Sequence, residues 1–263
     1  MTHKPDSIAL SFGKAAQNYE THGFLQQKAA QEFRQFLQRW LVELPEGPAL
    51  ELGCGTGLVS AQAAELLGQR SFHLSDLSQQ MLAEARSNLT AFPWLTYGVL
   101  DANQSLDPGH YSLVLSALAV QWLADPLASI ENLALALKPR GKLVLSFLGA
   151  GSFPEWEQAT QALGLPYTAN PLPDAQQVKS RLSALPGKLE IYRCALVLTF
   201  PKARDFFHNF KDIGAGTKLK QLQLTRGQTK LLIQYLDTQY PEGFEASHHV
   251  YYLCYEAPGV ELP

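Results

Sequence analysis

Three glycines, Gly53, Gly55 and Gly57, alternate with other residues in the stretch LELGCGTG, and the first of them lies two positions after the acidic residue Glu51. A glycine has no Cβ, so a loop of this kind lets a ligand approach the backbone closely. The third glycine comes one position too early for the G-x-G-x-x-G fingerprint of dinucleotide-binding proteins, and the Gly-Lys-Ser/Thr of a P-loop does not follow. The carboxylate of Glu51 would repel a phosphate and attract a cation. The pattern therefore indicates a loop that binds the cationic end of a ligand.

Two further carboxylates follow the loop at the ends of apolar stretches. Asp76 lies about 20 residues beyond the glycines, the separation at which an acidic residue accepts hydrogen bonds from ribose hydroxyls in open α/β sheets. Asp101 ends the next stretch and can accept a hydrogen bond from an adenine amino group. Taken singly, either aspartate could instead cap a helix or lie in a loop. Taken together with the glycine turn, they predict a nucleoside with a cationic tail and no phosphate, which describes S-adenosylmethionine.

The order of the predicted elements explains how these residues meet. Strand-like and helix-like stretches alternate over residues 49–149, which predicts a mostly parallel sheet with helices on both faces. The elements outside this alternation are a helix at residues 24–42, strands at residues 188–200 and 248–257, and two helices within residues 201–238. Ligands of such sheets bind at the carboxyl ends of the strands, so we expect the glycine turn, Asp76 and Asp101 along one edge.

Composition and charge exclude several classes of protein. The net charge of −3 argues against a general nucleic-acid-binding protein. No window approaches the roughly 20 apolar residues of a membrane span, and the N-terminus has no apolar signal segment. The three cysteines are odd in number and far apart, which favours a reducing compartment, so we expect a cytoplasmic protein. No metal site is expected, because the adjacent His248 and His249 would point to opposite faces of a strand.

Several segments resemble known families. The E-x-G-x-G-x-G turn, DLSQQML at residues 76–82 and LDA at residues 100–102 resemble the class I methyltransferases that use S-adenosylmethionine. Four more segments resemble the malonyl-carrier-protein O-methyltransferases of biotin synthesis (the BioC family). They are FGKAAQNYETHGFLQQKAA at residues 12–30, SALAVQWLADP at 116–126, LSFLGAGSFPEW at 145–156 and FKDIGAGT at 210–217. The resemblance covers about residues 8–255 and implies a mostly parallel, seven-stranded, Rossmann-like sheet.

The resemblance also implies the reaction, which is methyl esterification of the free carboxylate of a malonyl thioester. The carrier would be an acyl carrier protein or coenzyme A. A carboxylate is ionised far below neutral pH and is already a nucleophile, so no general base is needed. Two alternatives remain open from the sequence. One is a methyltransferase for another small carboxylate or a quinone-like acceptor, and the other is a non-catalytic partner protein that binds S-adenosylmethionine.

Specific residues are expected to bind the cofactor. The glycine turn with Cys54 would contact the methionine portion, and Glu51 would lie near its ammonium group. The remaining predicted cofactor contacts are Asp76 at the ribose, Leu77 and Met81 on either side of the adenine, Asp101 and Ala102 at its edge, and Ser116 through its carbonyl group. Tyr19 and His22 lie in an N-terminal segment, residues 1–45, that would close over the cofactor.

The acceptor is expected to meet a separate group of residues. Gln121 and Trp122 would face it, and Tyr19 would line the methyl-transfer site or, alternatively, pack on the core. Lys211 would supply a cation near the malonyl group or the carrier arm, unless it is a solvated surface lysine. Residues 152–188 and 201–246 would form a substrate lid on a single domain, residues 1–263.

The second half of this lid carries an excess of positive charge. Residues 202–230 contain seven basic residues, Lys202, Arg204, Lys211, Lys218, Lys220, Arg226 and Lys230, and two acidic ones, Asp205 and Asp212. Acyl carrier proteins are acidic, so this segment is predicted to attract one. The alternative is that these are ordinary solvated helix faces.

Overall fold

The computed structural model describes residues 5–217, 219 and 222–260, and these form a seven-stranded sheet with helices on both faces. The strands are β1 (Ala49–Leu52), β2 (Phe72–Asp76), β3 (Thr96–Val99), β4 (Tyr111–Ala117), β5 (Leu137–Leu148), β6 (Lys188–Phe200) and β7 (Phe244–Glu256). They lie in the order β3-β2-β1-β4-β5-β7-β6. Strands β1 to β5 pair in parallel, whereas β7 is antiparallel to both β5 and β6. The predicted α/β fold with a mostly parallel sheet is confirmed.

Helices precede the sheet, connect its strands and extend its last connections. In the described residues they are α1 (Pro5–Ala15), α2 (Tyr19–His22), α3 (Phe24–Trp40), α4 (Leu58–Leu67), α5 (Gln79–Asn88), α6 (Pro126–Leu135), α7 (Pro154–Ala162), α8 (Ala175–Ser183), α9 (Ala203–Asp212) and α10 (Arg226–Gln239). A short 3₁₀ turn, Val120–Trp122, follows β4. Helices α7 and α8 lie between β5 and β6, and α9 and α10 lie between β6 and β7, where the sequence predicted helical insertions.

The sheet is filled on both faces. Ala49 on β1 packs in the same cluster as Phe33 of α3, and both side chains are completely buried. The next residue, Leu50, points to the other face and packs in the cluster that contains Ile130 of α6 and Val178 of α8. Continuous apolar strands are typical of parallel sheets covered on both sides. A ligand can therefore reach this sheet only at the ends of its strands.

Two element boundaries differ from the sequence expectation. Strand β7 begins at Phe244, inside the expected 201–246 insertion, because Phe244 pairs with Phe200 at the far end of β6 and is completely buried. The proline and glycine of KPRG, residues 138–141, favour a turn from the sequence, but these residues lie within β5, with Arg140 at a φ of 62°. Lys218 and Lys220 lie outside the described residues. Within the described part of the chain, no helix has the length and apolar character needed to cross a membrane.

Candidate active site

The three glycines of the turn between β1 and α4 have different structural roles. Gly53 has a φ of +68°, and a Cβ there would lie 2.5 Å from the Cβ of Ala119. Gly57 precedes α4 with a φ of +92°, and a Cβ would lie 2.8 Å from Cδ1 of Leu89. Gly55 has a φ of +56°, and a Cβ there would meet no described atom within 4 Å. The first and last glycines thus allow close packing, and the middle one leaves open space beside the turn.

Asp76 fixes this turn to the end of β2. Its Oδ2 accepts a hydrogen bond from the N–H of Gly55 at 3.0 Å, and its Oδ1 accepts one from the N–H of Ser78 at 2.8 Å. Burial raises the pKa of the Asp76 carboxyl, while these backbone donors act in the opposite direction. A carboxylate has about four acceptor positions, so lone pairs remain for the hydroxyl groups of a ligand.

Glu51 lies beneath the turn with only 1% of its surface exposed. Burial is the main cause that raises the pKa of its carboxyl to about 7; the Ser60 hydroxyl opposes this shift, and the charge of Asp76 adds to it. Its Oε2 is buried and accepts no hydrogen bond within the described part of the chain. A buried carboxylate of this kind is stabilised by a nearby cation, so it fits a cationic ligand above the glycines.

A smaller cavity of about 120 Å³ lies at the carboxyl ends of β1, β2 and β4. The predicted site residues on its wall are Tyr19, Gly53, Gly55, Asp76, Leu77, Met81, Asp101, Ala102, Ser116 and Trp122. Asp101 holds the following loop, since its Oδ1 accepts hydrogen bonds from the backbone and side chain of Asn103 at 2.9 and 2.6 Å. The Ser116 hydroxyl donates to the carbonyl of Leu52 at 2.8 Å, so this side chain joins β4 to β1.

A larger cavity of about 470 Å³ adjoins the smaller one. Its wall contains Gln121 and Lys211 from the predicted set, together with aromatic residues of the insertions: Phe153, Trp156, Phe206, Phe207 and Phe210. These rings pack edge to face, for example Phe153 against Phe210 with centroids 5.6 Å apart. The imidazole of His248 also faces this cavity, and burial lowers its pKa to about 4, so it is neutral.

The two cavities share a wall of four residues, Phe12, Tyr19, Leu118 and Trp122. The rings of Phe12 and Trp122 meet edge to face with centroids 5.2 Å apart. Burial and the charge of Asp76 raise the pKa of the Tyr19 phenol, so it stays protonated. Leu118 has a positive φ of 50°, which is rare for leucine, and its carbonyl accepts a hydrogen bond from Nε2 of Gln121 at 2.7 Å. A group transferred between the cavities would pass this wall.

Four predicted cofactor residues are not found on either cavity wall among the described residues: His22, Glu51, Cys54 and Gly57. Glu51 is on β1, where alternate side chains point to opposite faces, so it lies behind the turn. Cys54 is buried, and burial with nearby carboxylates raises the pKa of its thiol, which disfavours the reactive thiolate. Gly57 packs closely against the side chain of Leu89 and not against a cavity.

His22 instead connects two segments that cover the cavities. Its carbonyl accepts a hydrogen bond from Nδ2 of Asn209 on α9 at 2.8 Å. Close by, Gly214 has a φ of +76°, and a Cβ there would lie 2.7 Å from Cα of Phe12. Only glycine permits this contact, which explains the K-D-I-G-A segment as an interface with α1. The N-terminal helices and the insertion after β6 therefore meet directly above the site.

Sequence reasoning missed Phe12 and Leu118. Phe12 is the first residue of the F-x-K-A-A stretch, so that stretch held a signal, but its position on a shared wall depends on the folded chain. The positive φ of Leu118 has no sequence signal, since leucine shows no preference for that conformation.

This geometry defines a class of protein. A family model described as "Methyltransferase domain" matches residues 50–143, which include the glycine turn, Asp76 and Asp101. The phosphoethanolamine N-methyltransferase 2 of Haemonchus contortus, solved in complex with S-adenosyl-L-methionine, superimposes with a TM-score of 0.53 at 20% identity. The match covers 84% of this chain and 51% of that one. The fold is that of the class I methyltransferases.

Curated relatives narrow the class to a family. The chain is 34% identical to the biotin biosynthesis bifunctional protein BioCD of Bordetella avium over 89% of its own length, and it spans half of that longer protein. It is 30% identical to the malonyl-[acyl-carrier protein] O-methyltransferase of Enterobacter lignolyticus, and the match covers 90% of each chain. The chain belongs to the malonyl-[acyl-carrier protein] O-methyltransferase family, as the sequence motifs predicted.

Proposed function

We propose that the protein transfers the methyl group of S-adenosylmethionine to the free carboxylate of a malonyl thioester, which is a step of biotin synthesis. The observation that carries this proposal is the pair of adjoining cavities with the common wall of Phe12, Tyr19, Leu118 and Trp122. The smaller cavity is the proposed cofactor site, and the larger one is the proposed acceptor site. Membership of the family supports the choice of acceptor.

The residues of the smaller cavity fit S-adenosylmethionine. Asp76 would accept hydrogen bonds from the ribose hydroxyls, and Asp101 would accept one from the adenine amino group. The open space beside Gly55 would receive the methionine portion, with the buried carboxylate of Glu51 behind it. Leu77 and Met81 would contact the adenine ring. When bound, the cofactor supplies an electrophilic methyl group on a sulfonium.

The protein contributes positioning and water exclusion to the reaction. The acceptor carboxylate would take the methyl group directly, and the sulfonium sulfur would keep the electron pair of the broken S–CH₃ bond. No proton would move, so the chain need supply no base. The wall residues would hold the two reactants in line and keep water away. Tyr19 remains a protonated phenol, so it can donate a hydrogen bond at this wall but does not act as a base.

Residues 1–45, 152–188 and 201–246 are proposed to cover a single catalytic domain. Support comes from Phe12 and Tyr19 on the N-terminal side and from Phe153 and Phe210 of the insertions, all of which face the cavities. The smaller cavity lies below the range of about 300–1,000 Å³ that is usual for ligand sites. The covering segments would therefore have to move outward when the cofactor enters.

We also propose a cytoplasmic location, since the three cysteines in the described residues are unpaired.

The proposed acceptor is malonyl-acyl carrier protein, with malonyl-coenzyme A as the smaller alternative. Arg226 and Lys230 are exposed on the first turns of α10, and the same helix lines the larger cavity through Leu232 and Ile233. A negatively charged carrier would be attracted to this surface. Charge reversal at Arg226 and Lys230 should slow reaction with malonyl-carrier protein more than with malonyl-coenzyme A, and equal losses would contradict the docking role. Lys179→Glu on the exposed side of α8 is the matched control.

Transfer of a labelled methyl group tests the reaction itself. The label should appear on malonyl-carrier protein as a base-labile ester and not on acetyl-carrier protein, which has no free carboxylate. Base-stable label on another acceptor would favour a different methyltransferase. Cofactor binding without transfer to any acceptor would favour a non-catalytic binding protein.

A further inference from the structure

The mouth of the larger cavity carries a row of basic side chains. Arg204, His208 and Lys211 lie on α9 at spacings of four and three residues, which places them on one side of the helix. All three are exposed and all three also line the larger cavity, so they form its rim. The rest of α9 turns Phe206 and Phe210 inward. One helix thus supplies both the aromatic wall and the charged rim.

The interior of the cavity contrasts with this rim. Its wall is mostly apolar, through residues such as Trp156, Leu224 and Ile233, with scattered amide groups such as Asn170. The amide of Asn170 is already engaged, since it donates to the carbonyl of Thr217 at 2.8 Å and accepts from the N–H of Leu219 at 3.0 Å. No arginine or lysine other than Arg204 and Lys211 lines this cavity in the described part of the chain. The lysine and arginine side chains of this cavity therefore lie at its mouth, among the described residues.

This arrangement matches the arm that carries acyl thioesters. Phosphopantetheine is a long, narrow chain with two amide groups and apolar methyl groups, and it ends in a phosphate. With the thioester at the wall shared with the cofactor cavity, the phosphate would be the part of the arm left at the mouth. Arginine, lysine and histidine all donate hydrogen bonds to phosphate oxygens.

We propose that Arg204, His208 and Lys211 form a binding site for the phosphate of a phosphopantetheine arm. This inference rests on the proposed function and assigns the cations of α9 to the far end of the arm, not to the malonyl carboxylate. The Nε of Arg204 lies 3.7 Å from Oδ1 of Asp205, so a neighbouring carboxylate orients its guanidinium group. The phosphate is common to carrier proteins and coenzyme A, so the site serves either source.

Small malonyl thioesters that differ only in the phosphate test the site. The kcat/KM of the wild-type protein should be about tenfold higher for malonyl-phosphopantetheine than for malonyl-pantetheine. Charge-assisted hydrogen bonds to a phosphate are among the stronger hydrogen bonds, and a tenfold ratio requires only a modest difference in binding free energy. The double variant Arg204→Gln/Lys211→Gln should lose this preference, because its kcat/KM should fall about tenfold more with malonyl-phosphopantetheine than with malonyl-pantetheine. Lys202→Gln, which removes a charge just before α9 and away from the cavity wall, should keep the preference.

The outcomes separate this site from the reaction itself. Equal use of both thioesters by the wild-type protein, or equal losses of the double variant on both, would overturn the phosphate site. Failure of the wild-type protein to methylate any malonyl thioester would instead overturn the proposed function. Malonyl-coenzyme A and malonyl-carrier protein, assayed with the same variants, identify the source. A site for the arm weakens both, whereas a protein-docking role alone weakens only the carrier protein.

Discussion

The smaller and the larger cavity share a wall but are lined by different kinds of chemical group. The smaller one is formed by short segments that directly follow strands, with glycine backbone and carboxylates such as Asp76 and Asp101. The larger one is formed mainly by aromatic side chains from insertions far apart in the chain, such as Phe153 and Phe210. Backbone geometry has few alternatives, whereas side-chain packing can change gradually. We therefore expect substitutions on the cofactor side to have larger effects than those on the acceptor side.

Gly53→Ala should give the largest effect. The new Cβ would lie 2.5 Å from the Cβ of Ala119 at a φ that disfavours alanine. Overpacking and backbone strain of this kind cost about 1–3 kcal/mol each, so affinity for S-adenosylhomocysteine should fall about 100-fold. Calorimetric titration with S-adenosylhomocysteine measures this affinity. Gly109→Ala, at a similar φ of +64° with no described atom near its Cβ, controls for strain alone and should leave affinity intact.

The second prediction concerns pH and the buried carboxyl of Glu51. Its pKa is raised from 4.5 to about 7, so the folded state binds a proton in this range that the unfolded state has lost. The free energy of unfolding contributed by Glu51 therefore falls as pH rises through this range, by about 3 kcal/mol in total. The ionised form should bind the cationic cofactor better, so affinity should rise over the same range.

Glu51→Gln isolates this effect. His248 has a pKa lowered to about 4 and contributes a slope of opposite sign, so the wild-type profile alone is a mixture. Urea unfolding at about pH 5 and about pH 8 should show the variant gaining stability relative to the wild type at the higher pH. If both proteins show the same pH profile, Glu51 is not the titrating group.

On the acceptor side, Phe210→Ala should have a smaller and more selective effect. The ring lines the larger cavity and packs against Phe153 and Phe206. KM for the malonyl substrate should rise about tenfold, with cofactor affinity unchanged within about twofold. Steady-state kinetics and calorimetry check both values. Phe92→Ala removes a partly buried ring away from both cavities and should leave KM unchanged; a matching rise there would mean general destabilisation.

The smallest effect is expected at His22. Its carbonyl, not its imidazole, accepts the hydrogen bond from Asn209. His22→Ala should therefore change kcat/KM by less than about twofold, whereas Asn209→Ala should lower it by about three- to tenfold, the value of one hydrogen bond. A large loss in His22→Ala would show that the imidazole acts on a ligand.

The sequence predicted best those features that depend on local pattern. The strand at residues 188–200 has the predicted boundaries, because its run of strand-forming residues is bounded by glycine and proline. Gly53, Asp76 and Asp101 were predicted to meet because the ends of parallel strands share one edge, and all three line the smaller cavity.

Features that depend on the path of the whole chain were not predictable. Glu51 was expected near the ammonium group of the cofactor because it adjoins the glycines; strand alternation directs its side chain behind them, beside Ser60, and its role at the cofactor stays a prediction. Phe12 reaches the shared wall only because Gly214, about 200 residues away, allows α1 to approach α9. Such a contact has no local signal.

The contact of Gly214 with Phe12 has a consequence for the order of events during turnover. Phe12 borders both cavities, and the insertion after β6 lies against it. We therefore expect exchange of the spent cofactor to require movement of the same insertion that lines the proposed acceptor site. Release of the methylated product and release of S-adenosylhomocysteine should then be coupled kinetic steps, limited by a single opening rate.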